Sequence, residues 1–122
     1  MKMTLGELVD ALEKRPKKQG VYFDLLWLVP TCLDSYRGYY EQLALGFRVD
    51  ENPRLTVAEL LKDCEAAIGE RFQGWKGGEY MMDRDTPIWV ANPGNTSEYY
   101  ISGIDTLGDD AHGWTIIKTE KE

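Results

Sequence analysis

Cysteine and histidine are scarce in this sequence, which limits the sites that it can form. Among 122 residues there are two cysteines, Cys32 and Cys64, and one histidine, His112. No CxxC or HxxxH spacing relates them, so neither a zinc site nor a disulfide framework is predicted. Both cysteines are expected to be small hydrophobic core residues, because a domain of this length can bury enough surface to fold without metal or disulfide.

Long hydrophobic runs are absent as well. The longest uninterrupted apolar run, 25–29, has five residues, whereas a membrane-spanning helix needs about 20. The first residues, Met1–Thr4, lead directly into an amphipathic pattern and lack the apolar segment of a secretion signal. We therefore expect a cytoplasmic protein that makes no contact with a membrane.

Positive charge is in short supply. The chain has 14 Lys and Arg residues against 21 Asp and Glu, a net charge of −7. Residues 1–18 carry five of these basic residues, so the rest of the chain is strongly acidic. Direct binding of nucleic acid needs clustered Lys and Arg and is not predicted. The acidic surface either keeps the protein soluble or faces a basic partner, such as a nucleic-acid-binding protein.

The sequence gives no pattern typical of an enzyme. The phosphate-binding motif GxxxxGK[ST] is absent. His112 follows Asp109 and Asp110 in a turn-like stretch, where a solvent-exposed histidine is expected rather than a catalytic base. Carboxylate pairs such as Asp83 and Asp85 arise by chance in a chain with 21 acidic residues. We predict no catalytic residue, no metal site and no cofactor.

Capping motifs and hydrophobic periodicity predict two helices and five strands. A capping box at Thr4–Glu7 opens a helix over 5–15 that ends before Pro16. A second box at Thr56–Glu59 opens a helix that stops at Gly69. Strands are predicted over 21–29, 43–49, 88–91, 99–104 and 114–118.

The order αββαβββ predicts an α+β fold. We expect the two helices to pack on one face of a mainly antiparallel sheet of about five strands. The chain is expected to form one domain over 1–122, in which the charged tail 118–122 is frayed.

Two segments between the predicted elements, 34–40 and 72–80, combine aromatic residues and glycines with scarce basic residues. Tyrosine and tryptophan rings can stack on a planar group, while Arg37 and Lys76 can bind a phosphate or carboxylate. Adjacent glycines allow positive φ, so that backbone amides can turn toward an anion. The predicted ligand-binding residues are Ser35, Tyr36, Arg37, Tyr39, Tyr40, Trp75, Lys76, Gly77, Gly78 and Tyr80. The alternative is that both loops simply pack over the core.

These motifs resemble a family of small bacteriophage and prophage proteins. The resemblance covers roughly residues 4–95 and is most specific in the two loops, which read SYRGYY and GWKGGEY. The matching segments are Thr4–Leu8, Ser35–Tyr40 with Leu43–Ala44, Thr56–Leu60 and Gly74–Tyr80, together with Thr86, Trp89 and Gly94. The resemblance implies a phage-encoded accessory protein, active against host defence in the host cytoplasm.

Three functions are compatible with this context. In the first, the two loops form a pocket at the interface of a homo-oligomer and sequester a small anionic nucleotide, such as a cyclic signalling molecule, without turning it over. In the second, the acidic surface docks onto a basic host defence protein, for example a CRISPR effector, and blocks its nucleic-acid channel. The third is a structural or replication accessory of the phage.

Overall fold

The structure is a computed structural model that describes residues 2–24, 28–36, 39, 41–48, 55–74, 77–91, 98–109 and 111–122. Within these ranges the chain forms two helices and eight strands. The helices are α1 (Leu5–Glu13) and α2 (Val57–Ala67). The strands are β1 (Val21–Phe23), β2 (Val29–Ser35), β3 (Leu43–Arg48), β4 (Arg71–Gln73), β5 (Glu79–Met81), β6 (Ile88–Val90), β7 (Tyr99–Leu107) and β8 (Trp114–Lys121).

Six strands form one curled sheet in the order β1-β8-β7-β6-β3-β2. The β1–β8 and β3–β6 pairs are parallel, and the other pairs of this sheet are antiparallel. Its two edge strands come together, because the Phe23 N–H in β1 donates a hydrogen bond to the Leu28 carbonyl just before β2, at 2.8 Å. The sheet is therefore a nearly closed, barrel-like layer of mixed direction. Strands β4 and β5 form a separate hairpin.

The predicted fold class is wrong. Sequence patterns gave two helices on a mainly antiparallel sheet of about five strands, whereas the sheet is mixed, has six strands and curls on itself. The parallel pairs join strands from distant parts of the chain, and periodicity carries no information about such pairing. The single strand predicted over 21–29 is two strands, β1 and β2, and residues 25–27 lie outside the described residues.

The two helix starts are confirmed. In α1 the Thr4 hydroxyl accepts a hydrogen bond from the Glu7 N–H at 3.2 Å, and the Glu7 carboxylate accepts one from the Thr4 N–H at 3.0 Å. In α2 the Thr56 hydroxyl accepts from the Glu59 N–H at 3.3 Å. These bonds satisfy amides that the first helical turn leaves without a partner. After α2 the chain turns at Gly69, whose φ is 81°.

The main hydrophobic core lies between the helices and the inner face of the curled sheet. Its largest fully buried members include Leu5, Leu8, Leu12, Phe23, Leu43, Leu45, Leu60, Met82, Ile88 and Ile101. Cys64 belongs to this core as predicted, and burial, followed by the nearby carboxylates of Asp63 and Glu65, raises the pKa of its thiol to about 12. Cys32 is exposed on β2, so the prediction that it fills the core is wrong.

Side chains on the opposite face of the sheet form a second, smaller cluster. Strand residues alternate between faces, so Ile88 and Val90 enter the main core while Trp89, between them, points outward. Trp89 packs there with Ala44 of β3 and with Tyr36, which follows β2. This outer cluster places aromatic side chains of the first predicted loop on a rigid sheet.

The last strand extends into the segment for which a frayed tail was expected. Strand β8 runs to Lys121, and Tyr99 in β7 pairs with it there. The Glu122 N–H donates a hydrogen bond to the Glu98 carbonyl at 2.9 Å. Acidic side chains near the end of β8 are thereby placed beside the outer cluster.

Candidate functional site

The structure describes six of the ten predicted ligand-binding residues. They are Ser35, Tyr36, Tyr39, Gly77, Gly78 and Tyr80. The others, Arg37, Tyr40, Trp75 and Lys76, lie outside the described residues. Both predicted loops also overlap regular structure, because Ser35 ends β2 and Tyr80 lies in β5.

Aromatic rings of the first loop stack on the sheet. The Tyr36 ring lies parallel to the Trp89 ring, with centroids 4.8 Å apart and an angle of 3° between planes. Tyr39 stacks on Trp89 at 5.6 Å, and Tyr100 of β7 meets it edge-on at 6.1 Å. These are preferred aromatic geometries. We call the four rings of Tyr36, Tyr39, Trp89 and Tyr100 the aromatic patch.

Gln42 holds the first loop against Trp89. Its side-chain oxygen accepts a hydrogen bond from the Trp89 indole N–H at 2.6 Å. Its backbone carbonyl accepts from the Tyr36 N–H at 2.8 Å, and its own N–H donates to the Tyr39 carbonyl at 2.9 Å. One residue therefore fixes both loop tyrosines and the ring beneath them.

The second loop is the turn of the β4–β5 hairpin. Gly77 and Gly78 have φ of 95° and 82°, the left-handed backbone that glycine was expected to supply. The Gly77 N–H donates to the Gly74 carbonyl at 3.1 Å and so closes the turn. Tyr80 packs against the main core, whereas Tyr36 belongs to the outer cluster. The two tyrosines thus contribute to different hydrophobic clusters.

The Tyr36 hydroxyl is buried without a hydrogen-bond partner in the part of the chain that the structure describes. The residue is 1% exposed. Burial, and then the negative charges of Glu98 and Glu122, raise the pKa of Tyr36 to about 12. A buried hydroxyl without an acceptor is unfavourable, and such groups in native proteins call for an explanation.

Carboxylates lie on one side of the aromatic patch, at the end where β7 begins and β8 ends. Glu98, Glu120 and Glu122 are exposed, and we call them the acidic rim. Tyr100 donates its hydroxyl to the Glu120 carboxylate at 2.8 Å. This hydrogen bond lowers the pKa of Glu120 and raises the pKa of Tyr100. The Glu120 carboxylate therefore stays ionised at neutral pH, and the Lys118 side chain lies near enough to contribute to this shift.

The Lys2 side chain lies in the patch. The Lys2 ammonium is 4.3 Å from the centroid of the Trp89 ring and 5.8 Å from that of Tyr100. It also forms an ion pair with Glu122, with 3.2 Å between Nζ and Oε1. An ammonium over an indole face is a favourable cation–π arrangement.

Sequence reasoning did not assign Lys2, Trp89, Tyr100 or the acidic rim to a binding site. Trp89 and Tyr100 are partners across β6 and β7, while Tyr100 and Glu120 are partners across β7 and β8. A strand pattern shows which residues share a face but not which strand lies beside it. The repeated aromatic residues in three predicted strands were the available signal.

A groove of about 220 Å³ lies elsewhere, between the segment that joins α1 to β1 and the turn that connects β7 to β8. It is lined by Pro16, Lys18, Gln19, Gly20, Ala111, His112, Gly113 and Trp114. Lys18 and His112 are exposed, and His112 Nδ1 is 3.4 Å from an Asp109 carboxylate oxygen. This groove combines a lysine with an indole ring, as was predicted for the second motif loop, and it also contains a histidine, which was predicted only to be solvent-exposed.

Comparison of the chain with protein-family models, curated proteins and solved structures found no match. Relation to a phage protein family therefore stays a prediction. Among the residues that the structure describes, no three His, Cys, Asp or Glu side chains are grouped to hold a metal ion. In the same residues, no helix is long and apolar enough to cross a membrane.

The Tyr36 hydroxyl is expected to stay protonated near pH 10, where an ordinary tyrosine ionises, and to titrate near pH 12. Phenolate absorbance of the wild-type chain and of Tyr36→Phe, recorded against pH, tests this. The two curves should coincide near pH 10 and separate only near pH 12, with circular dichroism reporting that the chain is still folded. The pKa of Tyr36 is higher in the folded chain than in the unfolded chain. The free energy of unfolding should therefore fall as the pH rises between these two values. Separation of the curves near pH 10 would contradict the burial of this hydroxyl.

Proposed function

We propose that this chain is a binding protein without catalytic activity that docks onto a basic partner protein through the aromatic patch and its acidic rim. The observation that carries the proposal is the group of exposed carboxylates beside the aromatic patch, in which Tyr39 is 42% exposed. Tyrosine and tryptophan are enriched where proteins bind each other, because large rigid rings bury much area at little entropic cost.

Electrostatics favour a cationic rather than an anionic ligand on this face. Glu98 and Glu122 lie close enough to Tyr36 to oppose its ionisation, and they oppose any other negative charge in the same place. A phosphate group would meet that repulsion. Lysine and arginine side chains would be attracted, and the net charge of −7 would speed their encounter with the chain.

The resemblance to phage proteins adds a biological context to the proposal. The basic partner would be a host defence protein in the cytoplasm, with a channel that ordinarily binds nucleic acid. An acidic protein carrying aromatic rings can fill such a channel, because carboxylates meet the cations that otherwise contact phosphates.

Binding of octalysine, measured by fluorescence anisotropy of a labelled peptide, tests the proposal. Reversing two rim charges, in Glu98→Lys combined with Glu120→Lys, is expected to weaken binding at least about tenfold, since close charge pairs across an interface are strongly coupled. The matched control is Asp63→Lys combined with Glu65→Lys, which makes the same change of net charge on α2. Equal weakening by both pairs, or no binding of octalysine, would overturn the proposal.

Sequestration of a small anionic nucleotide is the second candidate function, and the groove beside Trp114 favours it. There Lys18 and His112 flank an indole ring, in a space of about 220 Å³. Melting temperatures recorded with mono-, di- and cyclic nucleotides, in parallel with octalysine, separate the two functions. Stabilisation by a nucleotide that Lys18→Ala abolishes would support this candidate instead of the basic partner.

A further inference from the structure

We propose that the aromatic patch is a receptor for one lysine side chain of the partner, and that Lys2 occupies the receptor in the free chain. This inference rests on the proposed function and specifies how the basic partner is recognised. Lys2 is then an intramolecular competitor of the partner's lysine, and binding replaces the Lys2 ammonium group by that of the partner.

The contacts of Lys2 are those that a bound lysine would make. Its ammonium lies 4.3 Å from the Trp89 ring centroid and is within 3.2 Å of a Glu122 carboxylate oxygen. An aromatic face with a carboxylate beside it is a general receptor for an ammonium group. The chain thus already shows the ligand chemistry that this site accepts.

Only the side chain of Lys2 has to move for the exchange. The next residue, Met3, is fixed by its backbone, because its N–H donates to the Ile101 carbonyl at 2.7 Å and its carbonyl accepts from the Ile88 N–H at 3.2 Å. The Lys2 side chain is 36% exposed, and its partner Glu122 is 44% exposed. Displacement therefore leaves the sheet intact and returns the Lys2 ammonium to water.

The contacts that hold Lys2 are individually weak. Exposed ion pairs and exposed cation–π contacts each change an equilibrium by only a few fold, and together by about tenfold. A partner that adds contacts along the acidic rim can therefore displace Lys2. Because the partner must first displace Lys2, the presence of Lys2 in the site lowers the affinity of the free chain for any such partner.

The test compares Lys2→Met with Lys14→Met in binding to octalysine, using chains without an N-terminal tag. Lys14 is an exposed lysine at the end of α1, so its replacement removes the same charge away from the patch. We expect Lys2→Met to bind octalysine about tenfold more tightly than the wild-type chain, because the competitor is gone. Lys14→Met is expected to change the affinity by less than about twofold.

Nuclear magnetic resonance of the wild-type chain gives a readout that does not depend on a variant. With lysine labelled at its ε-carbon, the Lys2 methylene signal should lie upfield because of the Trp89 ring current, and octalysine should move it to the position of free lysine. If octalysine binds while this signal stays in place, or if Lys2→Met and Lys14→Met bind alike, the exchange is wrong and the basic-partner function stands. If octalysine does not bind at all, the proposed function fails as well.

Discussion

Replacing Trp89 by alanine is expected to lower the free energy of unfolding by about 3–5 kcal/mol, the usual cost of removing a buried tryptophan side chain. Trp89 is fully buried although it lies on the outer face of the sheet. Tyr36 and Tyr39 both stack on it, so the substitution leaves a cavity and removes the surface that orders the first loop. It also leaves Gln42 without its indole donor.

Urea denaturation followed by circular dichroism measures this loss, with Tyr39→Ala as the control. Tyr39 stacks on the same ring but is 42% exposed, so its truncation should cost on the order of 1 kcal/mol. If Trp89→Ala lowered the free energy of unfolding by no more than the small loss expected for Tyr39→Ala, the outer cluster would contribute little to stability. In that case the aromatic rings would be retained for binding alone.

Replacing Gln19 by alanine is expected to lower the free energy of unfolding by about 1–3 kcal/mol, because the buried Thr115 hydroxyl loses its acceptor, while Arg15 and Asp109 each lose one hydrogen bond. The Gln19 side-chain oxygen accepts hydrogen bonds from Arg15 and from the Thr115 hydroxyl, each at 2.9 Å. Its amide donates to the Asp109 carbonyl at 3.1 Å. Gln19 is 6% exposed and Thr115 is fully buried, so water does not readily replace these bonds.

The control for Gln19 is its neighbour Lys18, which is exposed. Lys18→Ala should change the free energy of unfolding by less than about 0.5 kcal/mol. Thr115→Ser keeps the hydroxyl, so its change in the free energy of unfolding should lie between those of Gln19→Ala and Lys18→Ala. If Gln19→Ala unfolded at the same urea concentration as Lys18→Ala, the polar network that joins the segment after α1 to β8 and to the turn before β8 would not be structural.

The parts of the fold that depend on neighbouring residues could be predicted from the sequence. The hydrogen bonds of Thr4 and Glu7 form within one helical turn, and the alternation over 43–48 identifies β3 directly. The parallel pairing of β1 with β8 joins Val21 to Thr115, and no local pattern encodes such a contact. The three-residue strands of the β4–β5 hairpin were too short to give a period.

The candidate site was likewise only partly predictable from the sequence. Tyr36 and Tyr39 were predicted as binding residues because they stand in an aromatic, glycine-bearing segment. Their platform, Trp89, and the ammonium of Lys2 come from other parts of the chain. Sheet register and a crossing N-terminal segment bring them together, and both are properties of the assembled fold.

The meeting of β1 and β2 also affects how copies of this protein behave at high concentration. Edge strands of open sheets present unpaired amides and carbonyls, which promote pairing between molecules. Here the two edges of the six-stranded sheet face each other, and a hydrogen bond from Phe23 to Leu28 joins them. Addition of a strand from another molecule to the six-stranded sheet, the first step of amyloid-type aggregation, would have to begin by opening this seam.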